Sequence, residues 1–256
     1  MLLAIDIGNT NVVYGIFDRD RLKTSFRQRT SLNITSDEVA TYLHSMFSLR
    51  NVSFNEISGI IIACVVPPLQ DTYFSVCKRY FQMEPLIVGP GVKTGIQILY
   101  ENPKEVGADR IVNAVGALEK YKKSCIIIDF GTATTFDAVK SSKEYLGGAI
   151  APGIGISMEA LFTRTSKLPR VDFRKPPAVI GKNTVNSIQS GIVFGYIGIV
   201  ENIVRLMKRE MNEENIIVIA TGGFSEVIAK ESSSVEIVDP DLTLDGLRFI
   251  YERNRP

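Results

Sequence analysis

Histidine is almost missing from this chain. His44 is the only one in 256 residues, and it sits among Val39, Tyr42, Leu43, Met46 and Phe47 in the pattern of an amphipathic helix. That setting predicts a surface or packed histidine. Its solitude argues against Ser-His-Asp catalysis and against histidine-rich metal sites. Cysteine is scarce too. Cys64, Cys77 and Cys125 are odd in number, and none stands in a close pair with metal-ligand spacing. Reduced core thiols in a cytoplasmic protein are the expectation. Net charge is nearly nil, with 29 basic residues against 28 acidic. No electrostatic footprint for nucleic acid or a membrane surface follows, although a small anionic substrate needs only a few local cations. The first residues lack a charged stretch leading into a long apolar run, so neither a signal peptide nor a membrane-spanning helix is expected. No Walker motif, kinase-type glycine loop or Rossmann fingerprint stands in a strand–helix setting. Gly181-Lys182-Asn183-Thr184 resembles a Walker ending, but it lacks the upstream glycine and follows a Pro-Pro pair.

What is present is a repeated element. Leu3-Ala4-Ile5-Asp6-Ile7-Gly8-Asn9-Thr10 and Ile126-Ile127-Ile128-Asp129-Phe130-Gly131-Thr132-Ala133 each carry a hydrophobic strand into Asp-x-Gly, then hydroxyls, then a second apolar run. One copy alone reads as a hairpin turn using Asp, Gly and Asn. Two copies in matching contexts point to phosphate binding. Glycine admits a phosphate close to the backbone, N–H groups and hydroxyls donate to it, and the aspartate holds a metal or its waters.

The rest of the pattern is duplicated as well. Strands are predicted at about 2–8, 11–18 and 21–28, a helix from a Ser36 cap to Leu49, a buried strand over 57–66, a helix to Tyr80 and a short strand over 85–88. A glycine- and proline-rich loop over 90–108 leads to a helix from Asp109 to Tyr121. The second half opens with strands at about 124–130, 133–140 and 145–150. A glycine-rich turn, an irregular 163–182 segment, a long helix over 183–211, a strand at 216–220, a short helix, a brief strand and a final helix complete it. This is a duplicated α/β fold, with ligand expected between two lobes.

Three further constellations stand out. Gly107-Ala108-Asp109-Arg110 sits at a helix start. Asp109 alone would be a cap. With Arg110 beside it, it reads as a proton acceptor for phosphoryl transfer, kept ionised by the helix N-terminus, while Arg110 grips a substrate carboxylate or makes an ion pair. Thr221-Gly222-Gly223, and likewise the turn from Gly147-Gly148 to Pro152-Gly153, either simply turns the chain or lets a nucleotide lie on the backbone. The segment Asn183 to Met211 is apolar over too much of its circumference for a surface helix, and Gly191, Gly195 and Gly198 permit close helix approach. It lies inside the second lobe or forms part of a dimer interface; the dimer is the reading taken.

Together these motifs, in this order, resemble the type III pantothenate kinases of the acetate and sugar kinase, heat-shock ATPase and actin superfamily. The resemblance covers nearly the whole chain. It implies a duplicated ribonuclease H-like (actin-like ATPase) fold, two lobes with mixed five-stranded sheets and flanking helices, divided at 1–117 and 118–256 with the long dimerisation helix in the second. It implies transfer of phosphate from ATP to the primary hydroxyl of pantothenate, the first step of coenzyme A biosynthesis. Asp6, Ile7, Gly8, Asn9, Thr10, Asn11, Val12 and Val13 would hold the ATP phosphates, with Asp6 near Mg²⁺ through phosphate or water. Thr132 would also contact ATP, as would Gly222 and Gly223 on the nucleotide reading above. Asp109 would accept the proton, and Gly107, Ala108, Asp109, Arg110, Tyr100 and Thr184 would bind pantothenate, Thr184 from the partner subunit of a homodimer. Asp129 would coordinate a monovalent cation, K⁺ or NH₄⁺. Three carboxylates crowded around a polyanion supply a physical reason for that cation. Rival readings are another small-molecule kinase of the superfamily, a nucleotide-binding regulator and an actin-like filament former.

Overall fold

A computed structural model describes residues 1–255. The chain packs as two compact units. In the first, β1 (Leu2–Ile7), β2 (Asn11–Asp18) and β3 (Arg21–Arg29) form a meander, and β4 (Gly59–Cys64) and β5 (Leu86–Ile87) extend it in the order β3-β2-β1-β4-β5. β1 runs antiparallel to β2 and parallel to β4. α1 (Ser36–Ser48) and α2 (Pro67–Tyr80) cover one face, where Leu3, Ile5, Ile7, Ile60 and Ile62 meet Leu43, Phe47, Leu69 and Tyr73. The cap of α1 is Thr35, one residue earlier than the expected Ser36. Its side chain and that of Glu38 satisfy each other's backbone donors in a capping box. α2 starts with Pro67 and Pro68 in its first turn, where a missing N–H costs nothing. α3 (Ala108–Tyr121) lies on the opposite face of this sheet, with Val112 and Val115 packed against Leu2, Ala4, Ile61 and Ala63.

The second unit repeats the plan. β7 (Cys125–Phe130), β8 (Ala133–Val139), β9 (Glu144–Pro152), β10 (Ile217–Gly222) and β11 (Ile237–Val238) follow the same strand order. Here the expected five strands become six. β6 (Gln97–Ile98), from the segment expected to be loop, pairs parallel to β9 at the sheet's edge. Two residues give too short a pattern for strand to be read from sequence. α4 (Ile154–Thr163), α5 (Thr184–Met211) and α6 (Ser225–Ala229) accompany this sheet. Ile188, Ile192, Tyr196, Val200 and Val204 of α5, at helical spacing, join Ile126, Ile128, Phe136 and Val218 in its core. By length and composition alone α5, a helix expected from the sequence, is long and apolar enough to cross a membrane, although no membrane-spanning helix was expected. Its core stripe accounts for only one side; Gly191, Gly195 and Gly198 are exposed, with open space where side chains would stand.

The last helix, α7 (Leu242–Asn254), departs from the expected division at 117/118. It belongs to the first unit, where Leu244, Leu247 and Ile250 pack with Leu2, Ala4 and Ile61. Gly116 and Gly246 allow α3 and α7 to cross closely: a Cβ on Gly246 would lie 2.1 Å from the Val112 carbonyl oxygen.

Candidate functional site

In the first unit the chemistry gathers at one end of the sheet. β1 is buried through Ile5, and Asp6 is its first half-exposed residue. Asp6 lies opposite Val13 on β2 and Ala63 on β4. Since side chains alternate, it shares the face of Leu2 and Ala4, the face on which α3 packs. The turn that follows is tight. The Gly8 N–H donates to the Asn11 carbonyl at 3.1 Å, and a Cβ on Gly8 would stand 3.0 Å from that oxygen. Asn9 and Thr10 are exposed at its tip. Ile7 and Val12, by contrast, are core residues. Their side chains anchor the loop, and only their backbone is available to a ligand. Thr30, which the sequence reading missed, holds the loop from just past the end of β3: its N–H donates to Thr10 O at 2.9 Å and its hydroxyl to Gly8 O at 2.7 Å. Nothing local marks it, because the bonds span about twenty residues of sequence.

Asp109 comes to the same end. The Val65 N–H donates to the Ile7 carbonyl at 3.0 Å, and Val65 Cγ1 lies 3.8 Å from where a Gly107 Cβ would be. That Cβ would be 2.4 Å from Asp109 Oδ1, so glycine at 107 leaves room for the carboxylate. Asp109 Oδ1 accepts the Arg110 backbone N–H at 2.8 Å. Burial pushes the Asp109 carboxyl above the ordinary carboxylate range, against the opposing pull of the Arg110 amide and guanidinium. Desolvation outweighs the local donors, so the helix terminus expected to keep this carboxyl ionised does not bring its pKa below the ordinary value. Arg110 is itself buried, and Ala108 is half-exposed.

The second unit holds the remaining predicted residues. Asp129 lies opposite Thr135 on β8 and Thr221 on β10, on the face away from the α5 core. Gly222 has φ +89°, and a Cβ there would stand 2.6 Å from Asp129 Oδ1 and 2.7 Å from the Phe130 backbone. Packing against Asp129 therefore explains that glycine, whereas Gly223 faces open space. Gly153 is equally constrained: a Cβ would fall 2.1 Å from the Thr132 carbonyl oxygen, so this glycine supports the Thr132 turn. Tyr100 arrives beside β9 through the short β6, and its ring lies about 3.5 Å from where a Cβ on Gly147 would project. Thr184 is the exposed first residue of α5, just after the Asn183 cap that accepts the Asn186 N–H at 2.8 Å. The Walker-like ending is thus a helix start. Among the described residues no group of three or more His, Cys, Asp or Glu side chains could form a metal cage.

A family model described as type III pantothenate kinase matches residues 2–206. The chain belongs to the type III pantothenate kinase family. A type III pantothenate kinase of Syntrophus aciditrophicus is 55% identical over 254 residues, covering 99% of this chain and 100% of that one. One of Citrifermentans bemidjiense is 55% identical over 255 residues, covering 100% of each. Solved structures share the architecture at much lower identity. A Campylobacter jejuni protein provisionally described as a Baf family transcriptional activator has a TM-score of 0.62 at 18% identity, with 98% of each chain covered. A ROK hexokinase of Thermus thermophilus has 0.52 at 12%, with 98% of each covered. At those identities the likeness is one of fold alone. His44 is exposed, edge-on to Phe54, and the three cysteines are free and buried or half-buried. None of the four belongs to the constellations above.

Proposed function

We propose that this protein transfers the terminal phosphoryl group of ATP to the primary hydroxyl of pantothenate, giving 4'-phosphopantothenate for coenzyme A synthesis. The observation that carries this reading is the juxtaposition at one end of the first sheet. There, a glycine turn with an open tip follows Asp6, and a basic, partly desolvated Asp109 stands beside Arg110. Backbone N–H groups of the turn bind the phosphates of ATP, with the hydroxyl of Thr10 and the amides of Asn9 and Asn11. Asp109 takes the hydroxyl proton as the acceptor attacks. Its Oδ1 is held by the Arg110 N–H, which leaves Oδ2 to receive the proton. Arg110 binds the substrate carboxylate, with Gly107 and Ala108 lining the same stretch. Tyr100 and Thr184 complete the substrate contacts.

The donor chemistry fits the implied ions. Asp6 offers a single carboxylate beside the phosphate turn, and Mg²⁺ is typically held by one or two carboxylates plus substrate phosphates rather than by a protein cage. Held there by Asp6, Mg²⁺ would supply charge neutralisation to the polyphosphate. Asp129, walled by Gly222 and next to Thr135 and Thr221, brings one carboxylate among neutral oxygens, which suits a monovalent ion. Thr132 and Gly223 contact the nucleotide.

We also propose a homodimer through the outer side of α5. Gly191, Gly195 and Gly198 leave that side open, Val185 and Leu206 are exposed on the same helix, and Thr184 at its start serves the partner's substrate site. A cytoplasmic location accords with the free thiols.

The test is release of ADP from ATP with pantothenate against a panel of hydroxy acids and sugars, repeated with Asp109→Asn and without monovalent cations. We expect pantothenate-dependent turnover, loss of at least about 100-fold in the variant, and little activity without K⁺ or NH₄⁺. Absence of pantothenate-dependent release sinks the substrate assignment. Turnover untouched by Asp109→Asn removes the proton acceptor alone.

A further inference from the structure

The third strand and the residue that follows it reach the phosphate turn in two ways. Thr30 clamps the turn through Gly8 and Thr10. The strand also brings basic side chains alongside it. Arg27 lies opposite Val13 and Arg29 opposite Asn11, while Val13 lies opposite Asp6. Directly opposed residues in antiparallel strands project from the same face. Arg27, Val13, Asp6 and then Ala63 therefore form one row across the sheet. Lower on this face α7 closes the surface, with Leu244 packed against Gly15. Toward the turn the face opens: Asp6, Val13 and Asn11 are half-exposed, and Arg27 and Arg29 are exposed. The Tyr42 hydroxyl donates to the Arg27 carbonyl at 2.6 Å and fixes the backbone that carries the guanidinium.

We infer that Arg27 is a phosphate-binding residue that closes on the phosphoryl group in transfer from the side opposite Asp109. This inference rests on the reading of the Gly8–Asn11 turn as the ATP phosphate site. Two strand spacings, roughly 10 Å, separate Asp6 from Arg27. A long arginine lying over the shorter Val13 spans most of that gap and leaves room for a phosphoryl group before the carboxylate. The planar guanidinium offers two parallel donors to phosphate oxygens, and its charge offsets the Asp6 carboxylate beside a polyanion. Exposed charges on an edge strand commonly serve only to prevent mispairing. Arg21 and Lys23, at the far end of β3, suit that role. Arg27 is set apart by sharing the row of Asp6.

The experiment measures binding of ATP and of ADP, each with Mg²⁺, to the full chain and to R27A, R27K and R21A, alongside steady-state kinetics with pantothenate. For R27A we expect ATP affinity and kcat/KM for ATP to fall roughly 10- to 100-fold, the size of a lost charge-assisted pair. ADP affinity should change less than about 2-fold by the same reasoning, because the contact is to the terminal phosphoryl group. R27K should recover part of the loss, R21A should match the wild type, and the melting temperature of R27A should be unchanged. Wild-type behaviour of R27A overturns the inference, and so does an equal loss for ATP and ADP. Should R27A fail to fold, R27K decides: full ATP affinity and turnover with lysine overturns the bidentate contact. A wild-type protein that binds ATP but does not turn over pantothenate overturns the substrate assignment alone, since the ATP–ADP comparison needs no acceptor.

Discussion

Asp109 shows how a single residue's environment sets its chemistry. Its carboxyl is pushed up mainly by burial, with Arg110 pulling in the other direction. A carboxyl whose folded pKa exceeds its unfolded value binds its proton more tightly when folded. Its contribution to stability is present at low pH and is lost as pH rises through the folded value. At neutral pH the ionised carboxylate therefore costs stability, and the site keeps it because a more basic carboxylate accepts a proton more readily. Two outcomes follow for one residue. The acid limb of kcat/KM should lie above the ordinary aspartate value of 3.8. Asp109→Asn, which removes the buried charge and keeps the shape, should melt no lower than the wild type while turnover collapses. A variant destabilised by more than about 1 kcal/mol would show that the carboxylate is a structural anchor instead. The same scale separates what sequence could reveal from what it could not. Asp6 and Asp109 announce themselves by the turn and helix start around them. Thr30 does not, because what makes it necessary, the Gly8 carbonyl, lies far along the chain; Gly153 and Gly222 stand out as turn glycines, but the Thr132 carbonyl and Asp129 carboxylate that require them are distant in sequence.

At the scale of elements, α5 carries the sharpest choice. Its inner stripe belongs to the second sheet's core, while its outer side holds three exposed glycines. Glycine inside an exposed helix costs about 1 kcal/mol relative to alanine. If water alone met that side, Gly195→Ala would stabilise the protein by about that amount. If a second α5 packs there, a larger side chain pushes the helices apart. Gly195→Leu is therefore expected to shift the protein from dimer to monomer in light scattering after size-exclusion chromatography, and to raise KM for pantothenate by displacing the partner's Thr184. A wild type already monomeric at micromolar concentration rules out the shared site. The length and apolarity of α5 were legible from its residues. Which side faced the core was set by the spacing of Ile188, Ile192, Tyr196, Val200 and Val204. β6, only two residues long, gains its identity from the edge of β9 and left no pattern to read.

The whole molecule is a duplication whose end returns to its beginning. The two strand orders match because each half begins with the same meander, and each half's periodicity was visible in sequence. The destination of α7 was not, since its apolar stripe fits a sheet without saying which. In the first unit Leu244, Leu247 and Ile250 cover Leu2, Ala4 and Ile61 on the face that also carries Asp6. Burial of each large side chain contributes about 1.5–3 kcal/mol, so losing three of them removes an amount comparable to the whole stability of a typical domain. A chain ended at Pro240 should fail to give a folded first unit, despite keeping every residue assigned here to chemistry. Circular dichroism and a melt would read this directly, and adding ATP with Mg²⁺ should not rescue it, because the phosphate turn is carried by the β1–β2 hairpin of that same sheet. A cooperative melt near the wild-type temperature for the shortened chain would mean that α3 alone covers that face and that α7 is an accessory to it.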